Sequence, residues 1–202
     1  MGPIATLTLN PAIDVSAHVP RLVPGPKLRC TEPRTEPGGG GVNVARIVRR
    51  LGGTCEAVVA VGGPTGDLMM ALLAAESVPA TPLRLTGTTR QSFAVTETDS
   101  GAQYRFVLPG PPPDAEDIAR VHRALPGFVP HGGFLVVSGS LPEGWPTETL
   151  DRLKALCADR DTRLVADTSG PALAHLMAER DAGLHYLRLD ADELAAAFPE
   201  AD

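Results

Sequence analysis

Four consecutive glycines, Gly38 to Gly41, lead straight into Val42-Asn43 and the helical spacing of Val44, Ile47, Val48 and Leu51. Glycines remove Cβ bulk and permit positive φ. The first N–H groups of the helix that follows have no partner within it. Such a start attracts phosphate or sugar hydroxyls; the alternative is a tight strand-to-helix turn that holds nothing. Two better-known phosphate loops are excluded. G-x-G-x-x-G fails because Asn43 or Val44 falls at its last position, and G-x-x-x-x-G-K-[ST] fails because the chain has no Gly-Lys pair. Lys27, Arg29 and Arg34 share one polar extended stretch, and Arg90 and Arg105 lie in or beside another. An acidic protein that binds an anion must gather positive charge locally, although scattered cations on a solvated face are the commoner arrangement. Asp14, after the first apolar run, could accept hydrogen bonds from sugar hydroxyls or serve as a turn residue. Ser138-Gly139-Ser140-Leu141-Pro142 closes a later strand, at the end where open α/β sheets bind ligands.

The elements that must hold these residues have two textures. Ile4 to Leu9, Ala57 to Val61, Ala80 to Leu85, Phe134 to Val137, Leu164 to Ala166 and Tyr186 to Leu189 are short apolar runs that read as buried strands. Helical stripes stand between several of them: Val42 to Leu51, Leu68 to Ala75, Leu150 to Leu156, Leu173 to Met177, and a last helix opening at Glu193. Strands alternating with helices imply a parallel sheet covered on both faces. Ile13 to Val19, Leu28 to Glu36, and Ser92 to Thr98 with Gln103 to Leu108 around the turn Asp99-Ser100-Gly101 alternate or are polar, so they predict a small separate β-layer.

The totals narrow the function. The chain has 202 residues, 43% of them hydrophobic but only 4% aromatic, which suits one domain with an Ala, Val and Leu core. A net charge of -6 argues against nucleic acid or a membrane surface as partner. No apolar run is long enough to span a bilayer, and the opening residues lack the pattern of a signal peptide. The three cysteines, Cys30, Cys55 and Cys157, fit a reducing cytoplasm better than a disulfide framework. The five histidines have no zinc-ligand spacing.

Five motifs in order carry a resemblance. They are Thr6 to Pro11 with Asp14, and Lys27 to Cys30; Glu36-Pro37-Gly38-Gly39-Gly40-Gly41-Val42-Asn43-Val44-Ala45-Arg46; Thr89-Arg90-Gln91; Gln103 to Phe106; and Ser138 to Pro142. Together the chain resembles the ribokinase-like PfkB family of carbohydrate kinases, in the branch of minor 6-phosphofructokinase, 1-phosphofructokinase and tagatose-6-phosphate kinase. The resemblance implies a three-layer α/β/α sandwich, here truncated, with a β-sheet lid inserted at about 12–37 and 90–108. It implies that Asp14 and Asn43 hold sugar hydroxyls, and that the backbone of Gly39 and Gly40 approaches the sugar. Arg90 and Ser140 would line the same pocket, with Lys27 and Arg29 supplying positive charge. It implies ATP and Mg²⁺ near Arg188, Asp190 and Glu193, with Glu193 on the metal side. Relatives carry Lys-Pro-Asn-x-x-Glu there, whereas this chain reads Arg188-Leu189-Asp190-Ala191-Asp192-Glu193.

The implied reaction transfers the ATP γ-phosphoryl group to a phosphorylated ketohexose, most simply fructose 6-phosphate to fructose 1,6-bisphosphate, in a homodimer joined through the lid. The family's Gly-Ala-Gly-Asp segment, which supplies the catalytic base, does not occur in the 202 residues. A positioned base contributes about 10²–10⁴-fold, so the expectation is a chain that binds but does not turn over alone. The alternatives are a non-catalytic sugar-phosphate-binding module and an incomplete gene product.

Overall fold

The computed structural model of the protein describes residues 2–178 and 183–197. Six strands form a parallel sheet: β1 (Ile4–Thr8), β4 (Cys55–Val61), β5 (Ala80–Arg84), β8 (Phe134–Ser138), β9 (Arg163–Asp167) and β10 (Tyr186–Arg188), in the order β10-β9-β8-β1-β4-β5. Four more form the second sheet: β2 (Ala12–Val19), β3 (Arg34–Gly38), β6 (Arg90–Glu97) and β7 (Gln103–Val107), in the order β3-β2-β6-β7. The helices are α1 (Gly40–Arg50), α2 (Gly63–Ala75), α3 (Ala115–Phe128), α4 (Glu148–Asp159), α5 (Gly170–Ala178) and α6 (Ala191–Ala197).

The period-two rule for strands makes the three layers. In β4, Ala57, Val59 and Val61 pack with Val42, Ala45, Met69 and Leu73 of α1 and α2. Val58 and Ala60 alternate with them and pack against Val121, Leu125, Leu150, Leu153 and Leu176 of α3, α4 and α5. A strand buried on both faces must be apolar at nearly every position, which is how β1, β4 and β8 read. This is the ribokinase-like α/β architecture.

The four-stranded sheet stands apart from the core sheet. β2 and β6 run parallel through its middle, pairing Asp14 with Ser92 and Val15 with Phe93. β3 and β7 flank them antiparallel, pairing Asp14 with Glu36 and Phe93 with Phe106. Facing residues of paired strands share a side. One face therefore carries Asp14, Ser16, Ser92 and Arg105, and the other carries Val15, Phe93, Val95, Tyr104 and Phe106.

Local details differ from the sequence expectations. The strand placed at Leu28 to Glu36 begins only at Arg34, because Pro33 and the turn residues before it leave no continuous ladder, and it runs on through Pro37 to Gly38. The helix expected from Val42 begins at Gly40. Helix α2 begins at Gly63, ahead of the Leu68 stripe, with Pro64 in its first turn where a missing N–H costs nothing. Helix α3 was not expected: Pro126 lies inside its last turn, although Asp114 caps it by accepting from the Asp117 N–H at 2.7 Å.

Candidate functional site

All six core strands are parallel, so their C-terminal ends lie on one side, and the chain order changes direction between β1 and β8. Such a switch point opens a crevice at the strand ends. Here Asn10 follows β1 and donates from Nδ2 to Ser140 Oγ, beyond β8, at 3.1 Å, bridging the crevice. The N-terminus of α1 stands over it. Gly39 has φ +120, and α1 has no side-chain N-cap hydrogen bond. The glycines are required by close approach as well as by φ. A Cβ at Gly40 would lie 2.1 Å from Ser138 Oγ and 2.9 Å from the Gly139 nitrogen; one at Gly38 would lie 2.1 Å from Asp14 Oδ2. The helix start is thus pressed between the β8 loop and the Asp14 carboxylate.

Arg90 opens β6 at the same place. It donates from Nη2 to the Asn10 carbonyl and from Nη1 to the Leu108 carbonyl, both at 3.2 Å. Its Nε is buried without a hydrogen-bond partner among the described residues, as is Thr8 Oγ1 at the end of β1. Buried polar atoms are nearly always satisfied, so two unpaired ones at this end of the sheet are unusual; Thr6 Oγ1, further down β1, is a third. Partial desolvation of the Asp14 carboxyl, on a residue otherwise open to solvent, raises its pKa, with the Arg90 and Arg105 guanidinium groups pulling the other way. Burial likewise lowers the pKa of Arg90, and the nearby Asp14 opposes that.

Asn43 lies in the first turn of α1, exposed, its Oδ1 accepting from Arg46 Nη1 at 3.4 Å. Asp14, Gly39, Gly40, Arg90 and Ser140 therefore meet around one opening, with Asn43 at its rim. Lys27 and Arg29 do not join them: they are exposed on the connection between β2 and β3, without an ion pair or hydrogen bond among the described residues. Arg105, on the Asp14 face of the lid, is close enough to act on the Asp14 charge.

A second cluster lies at the ends of β8, β9 and β10. Asp167 accepts from Ser138 Oγ at 2.8 Å and from Arg188 Nη1 at 3.2 Å. Asp190 and Glu193 form a reciprocal cap on α6: the Asp190 N–H donates to Glu193 Oε2 at 2.9 Å and the Glu193 N–H to Asp190 Oδ1 at 2.8 Å. A cavity of about 420 Å³ lies nearby, lined by Ser140, Pro142, Trp145, Thr147, Ser169 and Pro171. Among the described residues no three His, Cys, Asp or Glu side chains converge as a protein-built metal site requires. Mg²⁺ held by one or two carboxylates and substrate phosphates needs no such cage.

Asn10, Thr8 and Asp167 were missed as site residues. Asn10 and Thr8 stand inside the Thr6 to Pro11 motif, which by itself gives neither a role, and nothing in the order of residues tells that a threonine hydroxyl will be buried unpaired. Asp167 ends an apolar strand in Ala-Asp-Thr-Ser, a signal that its position at a strand C-terminus could have supplied.

Residues 7–202 match the pfkB family of carbohydrate kinases. The chain belongs to that family. Among its pfkB relatives, the "ATP-dependent 6-phosphofructokinase isozyme 2" of Mycobacterium tuberculosis strain H37Rv is 42% identical over 191 residues, 95% of this chain and 55% of the relative. The protein of the same name from Escherichia coli K12 is 41% identical over 175 residues, 87% of this chain and 56% of the relative. The crystal structure of Escherichia coli phosphofructokinase-2 in complex with fructose-6-phosphate superposes with a TM-score of 0.90 at 37% identity, covering 100% of this chain and 65% of that one. The chain thus spans about 55% of the length of the curated pfkB relatives it matches.

Proposed function

We propose that the opening at the β1–β8 switch point is the sugar-phosphate site of an ATP-dependent kinase that converts fructose 6-phosphate to fructose 1,6-bisphosphate. The observation that carries the reading is the convergence of Asp14, Arg90, Gly39-Gly40 and Ser140 around unpaired buried polar atoms, in a chain whose relatives are named 6-phosphofructokinases. Asp14 accepts from sugar hydroxyls, the α1 N-terminus and Asn43 supply hydrogen-bonding groups, and Arg90 with Arg105 faces the substrate's own phosphate. Lys27 and Arg29 reach the phosphate only if their connection folds over the opening.

ATP is the phosphoryl donor in this reading. Arg188 lies beside the expected phosphate path. Glu193 offers one carboxylate for Mg²⁺ on the phosphates once its cap on α6 opens; with Asp190 in place of the amide, both acceptors of that cap are carboxyl groups. Phosphoryl transfer depends mainly on positioning and charge stabilisation, and these residues supply the positioning of the acceptor sugar. The apolar lid face, with Phe93, Tyr104 and Phe106 exposed, supports a homodimer joined through the lids. A cytoplasmic location is favoured by three free cysteines; no described helix is long and apolar enough to cross a membrane.

A second reading is sugar-phosphate binding without turnover, favoured by Asp190 standing in this chain where the family pattern has an amide on the nucleotide side. Calorimetric titration with fructose 6-phosphate tests the site: binding is expected, weakened by Asp14→Ala and by Arg90→Ala. Absence of heat at millimolar sugar in a folded sample refutes the site. Coupled ADP release by the same chain separates the two readings, since turnover excludes the second.

A further inference from the structure

We infer that Arg46 is a positioning residue that ties the lid to the core, gripping Glu36 and the Pro37 carbonyl of β3 while Glu76 of the core holds its guanidinium from the other side. The inference rests on the reading of Asp14 as a sugar ligand, and its geometry is local and complete. Arg46 Nη2 lies 2.6 Å and Nε 2.8 Å from the two carboxylate oxygens of Glu76, a two-pronged bridge. The same Nη2 donates to Glu36 Oε1 at 2.9 Å. Nη1 donates to the Pro37 carbonyl at 3.2 Å and to Asn43 Oδ1 at 3.4 Å. Every one of the five N–H groups of a guanidinium therefore has an acceptor, and the Arg46 side chain is only 11% exposed.

The parts held together are those that must stay in register at the site. Glu36 pairs directly with Asp14 across β2 and β3, and Pro37 precedes the glycine that touches the Asp14 carboxylate. Glu76 caps the C-terminus of α2, where a carboxylate opposes the helix dipole. Only the Arg46 and Arg50 charges favour it there, and the bond to Arg46 holds the Glu76 pKa below its usual value. The competing partner of Glu36, Arg34, is on a side chain 71% exposed, and such pairs contribute little. A lysine at 46 would keep the charge and lose the fork.

The same cluster sets the field at Asp14. The charged groups facing it are Arg90 from β6, Arg105 from β7, Glu36 from β3 and Arg46 from α1. Without Arg46, Glu36 acts on Asp14 with less compensation, and the Asp14 carboxyl holds its proton to higher pH.

Two measurements on the full 202-residue chain test this, made on Arg46→Met, Arg46→Lys and Glu76→Gln. Amide hydrogen exchange of β2 and β3 is expected to quicken in all three, and most in Arg46→Met. Fructose 6-phosphate affinity by calorimetry is expected to fall by about tenfold in Arg46→Met, as the strand carrying Glu36 shifts against Asp14. The pH below which affinity is lost should move upward in Arg46→Met and stay in place in Arg46→Lys, a split that loss of packing alone does not produce. Unchanged exchange in Glu76→Gln and Arg46→Lys overturns the tie whatever the sugar does. Faster exchange with unchanged affinity and pH profile overturns the positioning role. Failure of the unsubstituted chain to bind fructose 6-phosphate would instead refute the sugar-site reading, and with it the role toward Asp14, leaving exchange to decide the mechanical tie.

Discussion

Asp14 is open to solvent on one side and its carboxyl is partly desolvated on the other, which gives it a pH signature that is small but has a definite sign. Its pKa in the folded chain is raised above 3.8, with burial the largest cause. A raised folded pKa means that folding favours the protonated form. The stability from this group is full below the unfolded pKa and is lost as pH rises through the folded one. Asp14→Asn removes that loss, so the melting temperature of the variant relative to the unsubstituted chain should be higher at pH 7 than at pH 4. Its affinity for fructose 6-phosphate should fall by about tenfold or more, the scale of a lost hydrogen bond to a charged group. Thermal melts at the two pH values and one titration check both halves. At this scale the sequence was informative where a residue acts through its own backbone or charge, as Gly39, Gly40, Asp14 and Arg90 do. It was silent where a residue acts through distant partners: Arg46 stands inside the glycine signature, but its role depends on Glu36 and Glu76, which only folding brings to it.

The helix start and the connection from β5 to β6 are the elements on which the opening depends. Gly40→Ala would drive a Cβ into Ser138 Oγ and the Gly139 backbone. Overpacking of this kind costs about 1–3 kcal/mol, and the displaced helix start should abolish sugar binding while far-ultraviolet circular dichroism stays near that of the parent. The connection before Arg90 is fastened by Asp117 of α3, whose Oδ1 accepts from the Thr86 N–H at 3.0 Å, Thr86 Oγ1 at 3.1 Å and Arg120 Nη1 at 2.7 Å. Asp117 is 1% exposed. Asp117→Ala removes these bonds from donors that can turn to water, at about 0.5–1.5 kcal/mol for each bond lost, and should lower both the denaturation midpoint and the sugar affinity. Most elements were legible because apolar strands and striped helices alternate plainly. Helix α3 was not, since a proline in its last turn and the mixed run Arg120-Val121-His122-Arg123 blur its stripe, and its fastening role needs Thr86 from another part of the chain.

At the scale of the whole molecule the lid presents two unlike faces. The Asp14 face looks toward the opening, and the Phe93, Tyr104 and Phe106 face is open to solvent, with Phe106 52% exposed. If two lids associate there, Phe106→Glu should shift sedimentation toward the monomer without altering the melting temperature of the core. Equal sedimentation for both chains would exclude that face as the contact. The central pairing of this lid joins Ala12 to Arg90 and Val19 to Glu97 in parallel, and α1, β4, α2 and β5 all lie in the chain between the two strands. Closing so long a loop is entropically unfavourable until the intervening elements have packed. The two flanking hairpins can form early, but the strand pair that joins them must come late in folding. Substitutions between β2 and β6 should then quicken unfolding and leave the folding rate nearly unchanged. A chain returned from denaturant would regain its helices and core sheet first, and its grip on the sugar last.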